Sequence, residues 1–148
     1  MMSSHQETTV TAWARLMRAQ QSLLARVEAD LKKSGLPPLR WYDVLLELNR
    51  AGSTGLRQYE LGAQLLLSKY NLSRLIDRLQ KERLVDRQAC AEDGRGARVR
   101  ITDTGLDLLR RMWPVYRAAI GEHFARHFSD RQLEQLGFLL GRVPGVGA

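Results

Sequence analysis

The sequence contains a single cysteine, Cys90, which excludes an internal disulfide and any disulfide-stapled scaffold. One lone thiol fits a reducing compartment. No run of about 18 apolar residues occurs, so no membrane span is expected. The opening residues, Met1-Met2-Ser3-Ser4-His5-Gln6-Glu7, hold no basic stretch followed by an apolar one. A secretory leader is therefore not expected, and a cytoplasmic location is. There is no phosphate-binding P-loop, no dinucleotide fingerprint and no nucleophile motif. Carboxylates are scattered and mostly interleaved with arginine, as on solvated helices. Catalysis and a cofactor are not expected.

Acidic charge is also in short supply. Against 23 Lys and Arg stand 16 Asp and Glu, a net charge of +7 that suggests a polyanionic partner. Residues 69–100 hold nine of the basic residues and five of the acidic ones, so the excess is concentrated there. Most of the cations are arginines, which bind phosphates and guanine edges with two parallel hydrogen bonds. A solvated basic face would give the same total, so charge alone does not decide the matter.

What is present is a helical pattern with one interruption. Trp13, Leu16, Met17, Leu23, Leu24, Val27 and Leu31 recur at three- and four-residue spacing, which predicts a long amphipathic helix over 11–34 after a frayed polar start. Gly35 and Pro37-Pro38 end it. A second helix is expected over 39–50, with Trp41, Val44, Leu45 and Leu48 inward, and then a turn at 51–55. Two short helices follow, over 57–65 and 69–81. A two-stranded ribbon comes next, from Leu84-Val85-Asp86-Arg87 to Arg98-Val99-Arg100-Ile101, turning at Asp93-Gly94-Arg95-Gly96. Thr102 is an N-cap for a helix reaching about Phe128, kinked at Pro114. Ser129-Asp130-Arg131-Gln132 is a capping box for a last helix ending near Val143.

The expected fold is mostly α with a small β-hairpin wing: a winged helix-turn-helix with long N- and C-terminal helices. Residues 36–102 form the winged lobe. Residues 11–35 and 103–148 form a helical region whose apolar stripes exceed the needs of one small core, and which is expected to join two copies into a homodimer. Packing within one chain is the simpler alternative.

A winged helix-turn-helix lays one helix in the major groove of DNA. On the helix from Lys69, the residues Leu72, Leu75, Ile76 and Leu79 share one face, to pack on Leu61 and Leu65. The opposite face collects Tyr70, Ser73, Arg74, Asp77 and Lys81, with Lys69, Asn71 and Arg78 at its flanks. Ser68 caps the helix, leaving backbone N–H groups to meet a phosphate. Arg74 is the first candidate for a base contact. Tyr70, Ser73 and Asn71 are candidates for base edges or phosphates, and Lys69, Arg78 and Lys81 for the backbone. Asp77 is expected to pair with Arg74, Arg78 or Lys81. In the wing, Arg95 at the tip is placed to reach a minor groove, and Arg87, Arg98 and Arg100 line the ribbon. Asp93 is expected to pair with a wing arginine and hold its direction. A solvated mixed-charge helix face and a soluble hairpin are the plainer readings of these residues.

These residues carry a resemblance. From about Trp13 to Val143 the chain resembles the MarR family (multiple antibiotic resistance regulators). The resemblance is strongest in Glu60-Leu61-Gly62 through Leu79, Leu84-Val85-Asp86-Arg87, Asp93-Gly94-Arg95 and Ile101-Thr102-Asp103-Thr104-Gly105. Gly94 and Gly96 soften the tip relative to the family, and Gly62 replaces its usual alanine. The resemblance implies a homodimer on a palindromic operator in double-stranded DNA, usually a repressor. It also implies release by a small, often aromatic, effector held between the dimerisation helices and the DNA-binding lobe. Trp13, Met17, Trp41, Met112, Trp113 and Tyr116 are the candidate ligand-binding residues, with Arg15 or Arg18 as a carboxylate anchor; plain core packing is the alternative.

Two further constellations are weak. His123 and His127 lie four apart, but a zinc site needs ligands that are not evident nearby, so no metal is expected. Cys90 has only Arg87 near it in sequence to stabilise a thiolate, and reads as structural. Two other functions fit a winged helix: a protein-interaction module that has lost base reading, and a sequence-neutral architectural DNA binder.

Overall fold

The apolar spacing of the chain is realised in a computed structural model that describes residues 1–65, 67–89 and 97–147. Among the described residues there are six α-helices and one three-stranded sheet: α1 (Ser4–Lys33), α2 (Leu39–Ala51), β1 (Leu56–Arg57), α3 (Gln58–Leu65), α4 (Lys69–Lys81), β2 (Val85–Ala89), β3 (Ala97–Ile101), α5 (Asp103–His123) and α6 (Asp130–Gly141). The mostly helical fold with a small antiparallel sheet is the one expected from sequence.

Backbone contacts divide the chain into two units, residues 1–33 with 115–148 and residues 34–114. The second unit holds the winged lobe. Its core is built from Val44, Leu45 and Leu48 of α2, Leu61 of α3, Leu72, Ile76 and Leu79 of α4, Val85 and Val99 of the sheet, and Met112 of α5, each at most 2% exposed. Within it α2 packs on α3 and β3, α3 on α4, and α4 on β2. Tyr42 is buried and its ring stacks on Trp113, centroids 6.2 Å apart. Burial first, and then the neighbouring Asp43 carboxylate, push the Tyr42 phenol above its ordinary pKa, while Arg50 pulls the other way.

The first unit contains α1, α6, the later part of α5 and a short 3-10 turn at Ala125–His127. His123 Nε2 lies 2.8 Å from Asp30 Oδ2, a tie between α5 and α1. This unit keeps large apolar side chains in water: Trp13 (63% exposed), Leu16, Leu24, Phe128, Phe138 (73%), Leu139 and Val143.

Four details depart from the sequence expectation. α1 begins at Ser4, not near residue 11, because Ser3 and Gln6 cap it reciprocally: Ser3 N–H donates to Gln6 Oε1 at 2.8 Å, and Gln6 N–H to Ser3 Oγ at 3.3 Å. At 30 residues and about 1.5 Å each, it is roughly 45 Å long. The sheet has a third strand, β1, two residues long and paired with β3 through Leu56 opposite Val99 and Arg57 opposite Arg98. α5 passes through Pro114 but stops at His123, so Phe124 and Phe128 lie outside it, their rings 5.4 Å apart. The Ser129–Gln132 capping box forms in full, yet α6 ends at Gly141.

Candidate nucleic-acid interface

The helix-turn-helix is set by two local devices. Arg57 N–H donates to Glu60 Oε1 at 3.0 Å, which starts α3. Ser68 Oγ accepts from Asn71 N–H at 3.2 Å, which starts α4 as the sequence suggested. Between them, the Leu67 N–H reaches back to the Gly62 carbonyl at 3.2 Å. A Cβ at Gly62 would stand 3.2 Å from Leu72 Cδ2, so the absent side chain lets α3 and α4 approach closely. This gives the glycine in place of alanine a packing reason.

On α4, Leu72, Ile76 and Leu79 are buried, Leu75 is half-buried, and the reverse face is open. Lys69, Tyr70, Asn71, Arg74, Asp77, Arg78 and Lys81 are exposed and Ser73 is half-buried. The helix therefore offers hydrogen-bonding groups and cations together on one outward surface, which is what a major groove accepts. Arg74 lies over the Tyr70 ring, 5.6 Å from its centroid, with its Nη1 3.5 Å from the Tyr70 hydroxyl.

Asp77 corrects the sequence reading. Its partner is not on its own helix: Arg87 Nη1 of β2 donates to Asp77 Oδ1 at 2.6 Å and to Gln80 Oε1 at 2.9 Å. The helix spacing favoured Arg74, Arg78 or Lys81, but the strand runs beside α4 and brings a cation within reach. The same wing ties up Arg100, whose Nε lies 3.6 Å from Asp86 Oδ1 directly across the strands and whose Nη1 donates to the Ser53 carbonyl at 3.4 Å. Arg98 is half-buried, opposite Gln88 and Arg57. Cys90, Asp93 and Arg95 lie outside the described residues.

Where α4 gives way to the wing, the backbone is held tightly. Arg83 sits at φ +62°, its N–H bonded to the Gln80 carbonyl, and Leu84 N–H reaches the Leu79 carbonyl, both at 2.9 Å. This is a Schellman closure with arginine where glycine is favoured. Thr102 Oγ1 then donates to the Arg83 carbonyl at 2.7 Å and accepts from Gly105 N–H at 3.0 Å. A Cβ on Gly105 would collide with the Leu84 carbonyl. The Thr-x-x-Gly sequence is thus a joint that locks the start of α5 against the end of α4.

The six candidate ligand residues are shared between the two units, Trp13, Met17 and Tyr116 in the first and Trp41, Met112 and Trp113 in the second. Trp13 lines an apolar cavity of about 960 Å³ in the unit of the terminal helices, together with Leu16, Phe124, Phe128, Leu136 and Leu140. Arg15, His123 and His127 also border it. Met17 and Tyr116 are half-buried in that same unit. Met112 is fully buried and Trp113 stacks on Tyr42 in the winged lobe. Trp41 is also in the lobe, with Arg78 over its ring. Among the described residues no group of three or more His, Cys, Asp and Glu could hold a metal, and no helix is long and apolar enough to cross a membrane.

A helix-turn-helix with a polar, cationic second helix and a β-ribbon beside it defines the winged-helix class of DNA-binding regulators. A model of the MarR family matches residues 34–96. The chain is 30% identical over 128 residues to the HTH-type transcriptional regulator MhqR of Bacillus subtilis, covering 86% of each protein. It is 31% identical to the HTH-type transcriptional repressor IacR of Pseudomonas putida, covering 84% of this chain and 72% of that one. Among solved structures it is similar to Sco3205, a MarR family regulator from Streptomyces coelicolor in complex with DNA. The TM-score is 0.81 at 26% identity, over 94% of this chain and 86% of that one. The chain belongs to the MarR family of transcriptional regulators.

Proposed function

We propose that the protein is a cytoplasmic, non-enzymatic repressor that binds a palindromic operator as a homodimer, one α4 in each of two successive major grooves. The outward face of α4 carries this reading: Tyr70, Arg74 and Lys81 are exposed, while Leu72, Ile76 and Leu79 on the reverse face are buried. Ser73 shares that face, Lys69, Asn71 and Arg78 flank it, and the wing residues Arg95 and Arg98 with Asp93 are proposed to complete the contact. The related Sco3205 is described in complex with DNA, and the related IacR is named a repressor. A protein-docking face would be more apolar than this one.

The homodimer rests on the terminal helices. Trp13, Leu24, Phe138, Leu139 and Val143 are large apolar side chains that stand exposed on the single chain, and a second copy covers them. A small aromatic effector releases the dimer from DNA by favouring a spacing of the two lobes that does not match the grooves. Selection from a pool of random duplexes at near-physiological salt tests the whole reading. An enriched inverted repeat is expected. Salt-sensitive binding without enrichment means an architectural binder, and no binding means a protein-interaction module.

A further inference from the structure

Several cations of the winged lobe are engaged, in one of two ways. Arg87 and Arg100 are held by carboxylates, and Arg40 Nη1 donates to the Leu65 carbonyl at 3.4 Å. Arg74 and Arg78 of α4 instead lie over aromatic rings. For Arg74 the ring belongs to the same helix. For Arg78 it belongs to α2: the guanidinium carbon is 5.8 Å from the centroid of Trp41. Among the described residues Arg78 has no carboxylate or carbonyl bonded to its side chain.

We propose that Trp41 is a positioning residue for DNA binding, whose indole holds the Arg78 guanidinium at the edge of the recognition helix, ready for a backbone phosphate. This rests on the DNA-binding reading above. A guanidinium carries its N–H donors in its own plane. One engaged by a carboxylate has them occupied, whereas one lying over a ring keeps them free for a second acceptor. Arg78 is exposed in the last turn of α4, so a phosphate can reach it. Trp41 is half-buried in the first turn of α2, between buried Leu39 and Tyr42, with its backbone N–H donating to the Pro38 carbonyl at 3.0 Å. The ring is therefore carried on fixed backbone. An arginine already ordered by such a ring loses less side-chain freedom when it meets its phosphate. The contact reads no base, so its effect is the same on every sequence.

The test is a double-mutant cycle in DNA affinity, with the full-length chain and a mixed-sequence duplex as probe. Trp41→Leu fills the space without a π face, and Trp41→Phe keeps a ring. Arg78→Ala should weaken binding and flatten the salt dependence by about one phosphate contact. Trp41→Leu should weaken binding about two- to fivefold, the worth of an exposed cation–π contact. It should have no further effect in the Arg78→Ala background, and Trp41→Phe should recover most of the loss. An equal loss from Trp41→Leu in both backgrounds would make Trp41 merely structural and overturn the proposal. So would wild-type affinity in Trp41→Leu or in Arg78→Ala. Failure of the unaltered protein to bind any duplex would instead count against the DNA-binding reading itself.

Discussion

Arg87 of the wing grips Asp77 of the recognition helix at 2.6 Å, across ten positions of sequence, and reaches Gln80 with the same nitrogen. The pair neutralises the one carboxylate on the outward face of α4 and ties helix to ribbon. Arg87→Ala should therefore weaken DNA binding more than Asp77→Ala, because it leaves an unpaired carboxylate facing phosphates. Neither should change stability by more than about 1 kcal/mol, since the Asp77 side chain is 62% exposed. Affinity titrations beside urea unfolding check both; a larger loss from Asp77→Ala would show that the pair acts only as a brace.

Arg74 is the residue proposed to contact a base. Arg74→Ala should remove discrimination among sequences, weakening the preferred site by about 1–3 kcal/mol and random DNA much less. Competition between the selected site and mixed duplex measures this. Equal loss on both would assign Arg74 to the backbone.

The joint behind the wing makes opposite predictions for two residues. Arg83 holds a left-handed conformation at φ +62°. A non-glycine residue there carries about 1–2 kcal/mol of strain, so Arg83→Gly should raise stability modestly. Glycine's greater freedom in the unfolded chain offsets part of that gain. Gly105→Ala should lower stability by about 1–3 kcal/mol, because its methyl would meet the Leu84 carbonyl. Urea midpoints of the two variants should move in opposite directions.

Tyr42 predicts an alkaline limb. Burial raises its pKa in the folded protein, so the folded state holds the phenol proton more tightly than the unfolded chain does. That contribution is fully present below the unfolded value of about 10 and is lost as pH rises through the folded one. Tyr42→Phe should flatten the fall in stability above that pH. An unchanged limb in the variant would place its origin in another group.

The last helix is expected to serve dimerisation. Truncation after Ser129 removes Phe138, Leu139 and Val143, which stand exposed on the single chain. The shortened protein should dimerise more weakly by light scattering across a dilution series. An unchanged dimer mass would refute that role.

Much of this was written locally. The apolar spacing of α4 and the Ser68 and Ser129 caps need only neighbours within a turn or two, and they appear where the sequence put them. So do Thr102 at the head of α5 and the winged helix-turn-helix as a class. Local signals failed where a local pattern ran on or ran short. Trp113, Tyr116, Ile120 and Phe124 recur at three- and four-residue spacing past His123, so periodicity did not mark where α5 stops. β1 is two residues long, too short for any alternation to show.

The sequence by itself determined which face of α4 is buried and which is polar, because both follow from periodicity within one element. Only the tertiary structure decided which charges remain free on that face. Asp77 and Arg87, or Trp41 and Arg78, meet because a helix and a strand, or two helices, pack together. Such a pairing depends on distance in space, which helical periodicity does not encode.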